Sequence, residues 1–461
     1  MRVAVVGGGI AGLAAAHELA DRSDVEVVVL EAGDHMGGKV ATAPFAGVDL
    51  DLAPDAFLAR RPEAVQLCRE LGLEDRLVAP ASGSAWVWTR GRLRRLPTGL
   101  LLGVPTDVRS LLRSGVLSPL GALRASLEPL LPGSPLGSDA TIGSVMRRRL
   151  GHEAHERLID PLLGGINAGD TDALGIDAVA PQLAAAARHD ASVVKGARHL
   201  TSQAPPQPGA PVFLTLPEGL GALIDALTDR LTVAGVELRT NTEVAELTHA
   251  DGHWSLTTSA GEQTADAVVL AVPAFAAAPL LEPHAPSVAS TMAGIEHASV
   301  ALVALAYADR SVPGPLDGSG FLVPRVDGRL MTACSWASSK WAHLGRPGQV
   351  LLRVSAGRAG DERAMAMDDD ALVARLRVEL EAAMGIRDEP IEVRVTRWHR
   401  AFPQYGPGHL TRMADARARL AAELPTLALA GAALGGVGLP ACIGTGRIAA
   451  QTVADAVTAS S

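Results

Sequence analysis

Arg2-Val-Ala-Val-Val6-Gly7-Gly8-Gly9-Ile10-Ala11-Gly12 is the stretch on which the fold turns. Arg2 to Val6 is a short apolar run rich in β-branched residues, the pattern of a strand buried on both faces of a parallel sheet. Gly7, Gly9 and Gly12 match GxGxxG, and Leu13 to Ala20 reads as a helix. Val25 to Leu30 is a second apolar strand, and it ends at Glu31. Each element answers a physical need. Gly7 permits the tight turn, Gly9 lets a diphosphate approach the backbone, and Gly12 lets helix and strand pack closely. Gly8, Ile10 and Ala11 complete the loop, and the helix start supplies free N–H groups and a positive dipole end. Glu31, followed by Ala32, is placed to accept hydrogen bonds from both ribose hydroxyls. Its charge repels a 2′-phosphate, which disfavours NADP. Strand, glycines, helix, strand and acid fall in order within about thirty residues, and together they predict a dinucleotide site.

Working outward, Gly37-Gly38-Lys39 is a second glycine pair ending in a base. It resembles the GG(R/K) element of the amine-oxidase-like flavoproteins, in which backbone and base hold the FAD diphosphate and ribityl chain. At the far end, Leu427 to Ala430 reads as a strand, Gly431 to Pro440 as a glycine-rich turn, and Cys442 to Val457 as a helix. A turn capped by a helix N-terminus is an anion site. Gly436, Val437, Gly438 and Leu439 are expected to face the N1–C2=O edge of an isoalloxazine. An NAD enzyme has no use for such an element, so FAD is the expected cofactor.

Composition bounds the rest. The chain has 461 residues, 48% hydrophobic and 20% charged, with a net charge of −9. That length predicts two or three domains and a core that needs no staples. The charge argues against nucleic-acid binding. Cys68, Cys334 and Cys442 are scattered, with no CxxC or HExxH, so neither a metal site nor a disulfide framework is expected. The first twenty residues imitate a secretory signal, and the uncharged run from Leu424 to Arg447 is long enough to span a bilayer. The glycine motif accounts for the first. Pro425, Pro440 and six glycines break the second. The expectation is a cytoplasmic protein without a transmembrane segment, with peripheral membrane contact left open.

Over nearly its whole length the chain resembles the protoporphyrinogen and coproporphyrinogen III oxidases of haem synthesis, the soluble bacterial coproporphyrinogen branch most of all. The resemblance rests on Asp51-Leu-Ala53-Pro54-Asp55-Ala56-Phe-Leu-Ala-Arg60-Arg61-Pro62 and on Gly165-Ile166-Asn167-Ala168-Gly169-Asp170. It rests also on Trp336-Ala-Ser-Ser-Lys340-Trp341 and on Arg397-Trp398 through Pro403-Gln404-Tyr405. Ala53, Asn167 and Ala441 stand where the family usually has Gly, Tyr and Asp.

The resemblance implies an α/β fold. Its FAD-binding doubly wound domain, p-hydroxybenzoate hydroxylase-like, would comprise residues 1–80, 212–273 and 425–461. An α+β substrate domain would take 81–104 and 274–424, and a mostly helical inserted domain 105–211. Loop punctuation at Pro132, Gly133 and Pro135 and a proline-rich connection over 203–211 agree with that division. It implies that Gly38, Lys39, residues 53–56, Val244 and Trp398 also hold the cofactor. Arg60, Arg61 and Lys340 would meet the propionates of the substrate, with residues 165–169 and Tyr405 beside the ring. No catalytic base is assigned. The implied activity is oxidation of coproporphyrinogen III by dioxygen with peroxide release, and protoporphyrinogen is the alternative substrate. A third reading is a flavin-bound porphyrin carrier. A ferrochelatase-type enzyme is the expected protein contact. Arg147 to Arg149, and His152 with His155, read as solvated helical surface.

Overall fold

The computed structural model describes residues 1–133, 136–203 and 210–460; Pro135 and most of the proline-rich connection lie outside them. A five-stranded sheet, wholly parallel, forms from Glu237–Arg239, Glu26–Leu30, Arg2–Val6, Ala267–Leu270 and Leu427–Leu429 in that order. The two ends of the polypeptide thus share one sheet with two strands from its middle.

Strand periodicity then assigns the layers, because alternate side chains face opposite sides. Val3, Val5, Val27, Val29 and Val269 face the helices Ile10–Ala20, Gly221–Val233 and Leu439–Ser460. Ala4, Val6, Val28, Val268 and Leu270 face a three-stranded antiparallel meander through buried Leu247, Trp254 and Leu256. Helices Ala274–Leu281, Pro286–Ala293 and His409–Glu423 share that second core, although they fall within the segment expected in the substrate domain. The C-terminal helix lies so close to the first helix that a Cβ on Gly446 would stand 2.1 Å from the Ala11 carbonyl oxygen.

A seven-stranded mixed sheet gathers Trp86–Thr89, Arg92–Arg95 and five strands between His297 and Pro403. The helices from Val108–Ser114 to Val193–Gln203 surround a separate core that includes Ile142, Met146, Leu158 and Leu183. Among the described residues no helix is long and apolar enough to cross a membrane. The Leu424–Arg447 run folds as a strand, a turn and a helix start.

Two surface expectations are corrected. Arg149 is buried, and its Nε donates to the buried Glu128 carboxylate at 2.7 Å, which removes it from the solvated turn. His155 is buried as well, with Nε2 2.8 Å from the Thr171 hydroxyl. Thr171 donates its own proton to Asp160 at 2.7 Å, so the imidazole Nε2–H is the donor to it.

Candidate active site

The glycine loop forms as the motif requires. Gly7 adopts φ +107°, and a Cβ on Gly12 would stand 1.9 Å from the Gly7 carbonyl oxygen, which explains the glycine at each position. Gly9 differs. Its backbone is extended, and a Cβ placed there would meet nothing within 4 Å, so it fronts open space. It is also the N-cap of the Ile10–Ala20 helix, with no side-chain cap and no acid in the first turn. An uncapped helix start behind open space is a cradle that fits a diphosphate.

Glu31 accepts from the N–H of Gly8 at 2.7 Å and of Gly33 at 2.8 Å, so it also shapes the loop that it serves. The Asn241 and Thr242 N–H groups donate to the Gly33 and Glu31 carbonyls, which brings the start of the Val244 strand to the same end of the cleft. Gly37 bridges back to Gly9, its N–H 2.8 Å from the Gly8 carbonyl, and so places Gly38 and Lys39 at the cradle.

The chain's other terminus arrives through Gly436 to Leu439. The Cys442 N–H donates to the Gly438 carbonyl at 3.1 Å, opening the last helix. Burial pushes the Cys442 thiol up to about 11, and the ammonium of Lys39 close by opposes that shift. Residues some four hundred positions apart are therefore close neighbours. Ala441 lies against Gly436, where a Cβ would stand 2.7 Å from the alanine methyl. Tyr405 is corrected here. It is buried, and its hydroxyl donates to the Ala432 carbonyl, so it braces the C-terminal loop instead of lining a pocket. His409 donates from Nε2 to the next carbonyl, Ala433, at 2.8 Å, and burial lowers its pKa to about 4. A neutral imidazole at pH 7 is the form that this contact uses.

Asp55 is the hub of the second motif. Its carboxylate takes Lys340 Nζ at 2.7 Å, Trp341 Nε1 at 3.1 Å and Arg353 at 3.4 Å, while Arg353 also donates to the Ala53 carbonyl at 2.6 Å. Burial alone raises the Asp55 carboxyl, but Lys340 and Arg353 outweigh it and hold it well below the usual carboxylate range. This corrects Lys340: its charge is committed to Asp55, so it is not a free cation for substrate. Arg353 was not foreseen, because nothing around it in sequence marks a strand arginine as a partner of Asp55. Pro54 and Ala56 flank the hub. Burial pushes nearby Asp51 up to about 6, against hydrogen bonds from Thr42 and the Leu220 N–H. Arg60 and Arg61 are exposed where the Pro62–Glu70 helix begins, Arg61 lying 3.6 Å from Glu63.

The loop at Gly165–Asp170 is set by buried bonds. Asn167 donates from Nδ2 to the Leu163 carbonyl at 2.8 Å, and Gln404 donates to the Asn167 carbonyl at 3.1 Å. Ala168 takes φ +45°, and its carbonyl accepts from Ala359 at 2.8 Å. Arg325 donates to the Gly169 carbonyl at 3.0 Å. Gly165 and Ile166 remain exposed. Ala168 packs with Ala298 and Val300 against Trp398, whose Nε1 donates to the Leu52 carbonyl at 3.1 Å. Helical insert, large sheet and the segment at Leu52 therefore converge on one indole.

A family model described as flavin containing amine oxidoreductase matches residues 10–454. The chain belongs to this flavoprotein family. It is 38% identical to the coproporphyrinogen III oxidase of Mycobacterium tuberculosis (strain ATCC 25618 / H37Rv), over 99% of this chain and 98% of that protein. It is 35% identical to the coproporphyrinogen III oxidase of Bacillus subtilis (strain 168), with the same coverage. The solved structure of an Exiguobacterium sp. 255-15 chain described as a protoporphyrinogen oxidase superposes with a TM-score of 0.87 at 31% identity, covering 98% of each chain.

The residues present in this flavoprotein fit FAD: an open cradle at Gly9, an uncapped helix start, Glu31 at the ribose end and a second helix start from the C-terminus. The loop through Ala53 is held by Arg353, so its departure from glycine leaves the backbone path intact.

Proposed function

We propose that this flavoprotein oxidises coproporphyrinogen III to coproporphyrin III, with dioxygen as the oxidant and hydrogen peroxide released. The observation that carries the reading is the convergence on Trp398 of the Gly165–Asp170 loop, the large sheet and the segment at Leu52 that leads into residues 53–56. FAD bound in the cradle supplies acceptance of a hydride from the sp³ carbons of the macrocycle.

The chain's own residues bind and orient. Gly7 to Gly12 and Lys39 hold the diphosphate, Glu31 and Ala32 the ribose, and Val244 the adenosine end. The N–H groups opening the Leu439–Ser460 helix favour negative charge at the flavin's far edge. Trp398, Ile166 and Ala168 would exclude water from the reacting face, and the Asp55 hub would keep residues 53–56 in place to hold the cofactor. Pyrrole protons leave to solvent, so no side chain is required as a base. Arg60 remains an open cation for propionates, while Arg61 shares its charge with Glu63.

The test is direct. Purified protein given reduced coproporphyrinogen in air is expected to be yellow, to gain porphyrin fluorescence and to release peroxide. Initial rates on protoporphyrinogen are expected to be lower. The reverse order would move the substrate assignment, and fluorescence quenching without turnover would make the chain a carrier.

We place the protein in the cytoplasm, with transient contact to a ferrochelatase-type enzyme. Peripheral contact with an anionic membrane is supported by the Pro119–Ser126 helix and the turn after it. That helix buries Ala122 and Ala125 yet turns Leu120 and Leu123 outward, the turn after it exposes Leu127 and Leu130, and Arg109 and Arg113 are exposed on the preceding helix. Leucines outside and alanines inside reverse a soluble helix, and the arginines suit acidic headgroups. Cosedimentation with phosphatidylglycerol vesicles is expected and should fall at least about tenfold for Leu120→Ser/Leu123→Ser, while equal sedimentation would remove the contact.

A further inference from the structure

Arg400 is held in a conformation that its own chemistry disfavours. The strands His297–Ala308 and Glu392–Pro403 pair regularly as far as Val300 with Trp398, and again at Ala298 with Phe402. Between these pairs His399, Arg400 and Ala401 stand opposite Ser299 alone, so the strand bulges. Arg400 sits at the bulge with φ +49°, and its N–H donates to the Ser299 hydroxyl at 3.1 Å. A left-handed backbone is costly for a long side chain, and it persists only where the surroundings fix it. Bulges re-aim side chains.

This bulge lays the guanidinium over the Phe275 ring, 3.7 Å from its centroid. His297 packs edge-on to the same ring at 5.1 Å, its Nδ1 tied to the Ile295 carbonyl at 2.8 Å. Phe275 follows the strand Ala267–Leu270, whose next residue, Ala271, has its carbonyl where a Cβ on Gly7 would fall, at 2.8 Å. The stack thus stands at the carboxyl end of the parallel strands beside the glycine loop, where ligands of such sheets bind. Lys39 and Arg400 both lie in electrostatic reach of His297. Among the described residues no carboxylate pairs with Arg400, which remains exposed. Elsewhere near the cleft, Lys340 and Arg353 are spent on Asp55.

We propose that Arg400, stacked on Phe275, is an oxyanion-binding site of the cleft, taking either a carboxylate of the macrocyclic substrate or the diphosphate of FAD. The carboxylate arm rests on the proposed function; the diphosphate arm does not. A flat guanidinium pinned against a ring presents its donor edge at low entropic cost, the geometry that suits a bidentate oxyanion.

Arg400→Gly separates binding from structure, since glycine accepts φ +49° and its thermal midpoint should hold or rise. Coproporphyrin III binding to holoenzyme, read by fluorescence quenching, is expected to weaken about tenfold if the carboxylate is the ligand. The tetramethyl ester of that porphyrin should bind both forms equally, and Arg400→Lys should recover part of the loss. If the diphosphate is the ligand, FAD reconstitution of apoprotein weakens about tenfold instead, with porphyrin binding to the reconstituted enzyme unchanged. Unchanged affinity for both ligands overturns the site. Wild-type holoenzyme that binds no coproporphyrin would overturn the functional reading alone, and FAD affinity would then decide the site.

Discussion

Gly9→Ala is expected to give a folded apoprotein that does not hold FAD, whereas Gly12→Ala, three residues on, is expected to lose the fold. The two glycines belong to one motif and look equivalent in sequence. Their surroundings differ. A methyl at Gly9 meets no protein atom within 4 Å and lies on an extended backbone, so the apoprotein has no reason to change. It does occupy the cradle, and a diphosphate kept away from the uncapped helix start loses its donors. A fall in FAD affinity of about a hundredfold corresponds to roughly 3 kcal/mol. A methyl at Gly12 stands 1.9 Å from the Gly7 carbonyl oxygen, and strand and helix must part to admit it. Overpacking of this kind costs about 1–3 kcal/mol even where side chains yield, and here the obstacle is backbone. Flavin content on purification and the apoprotein's thermal midpoint separate the two. Yellow, fully loaded Gly9→Ala protein would take the diphosphate away from this loop.

Asp55→Ala is expected to be the most damaging single change outside the glycines. It removes the acceptor for Lys340, Arg353 and the Trp341 N–H together, leaving two cations side by side in a half-buried site. Breaking a buried pair from one side costs about 3–5 kcal/mol, since the charges left behind stay desolvated. Lys340→Met is expected to cost clearly less, because Asp55 then keeps Arg353. The pH dependence follows from the sign of the shift. The folded carboxyl is held below its unfolded value, so its contribution is complete above an unfolded pKa of about 3.9 and is lost as pH falls through the folded one. The stability gap between wild type and Asp55→Ala should therefore narrow below about pH 4. Urea unfolding at pH 7 and at pH 3 checks both statements; an equal gap at the two values would separate Asp55 from the cations.

The first thirty residues were legible because everything they specify is local. Strand, turn, helix and second strand are neighbours in sequence, and backbone sterics at Gly7 and Gly12 act over a few residues. The same holds for the C-terminal strand, glycine turn and helix, and hence for the parallel α/β fold with its cradle. Side-chain partners were not legible in this way. Lys340 had the right charge for a propionate, yet it reaches Asp55 across a separation of 285 residues and is neutralised there. Tyr405 looked like a pocket aromatic, and its hydroxyl is committed to Ala432. His155 and Arg149 carried helical spacing and polar character. Only packing reveals that Thr171 and Glu128 take them inside.

By itself, then, the order of apolar runs and glycines determined the flavin-binding sheet and the dinucleotide it accepts, since those follow from backbone geometry within one βαβ unit. The tertiary structure alone decided which cations are free. A charge is available or spent according to what lies within about 4 Å of it, and that distance is set by segments hundreds of residues away.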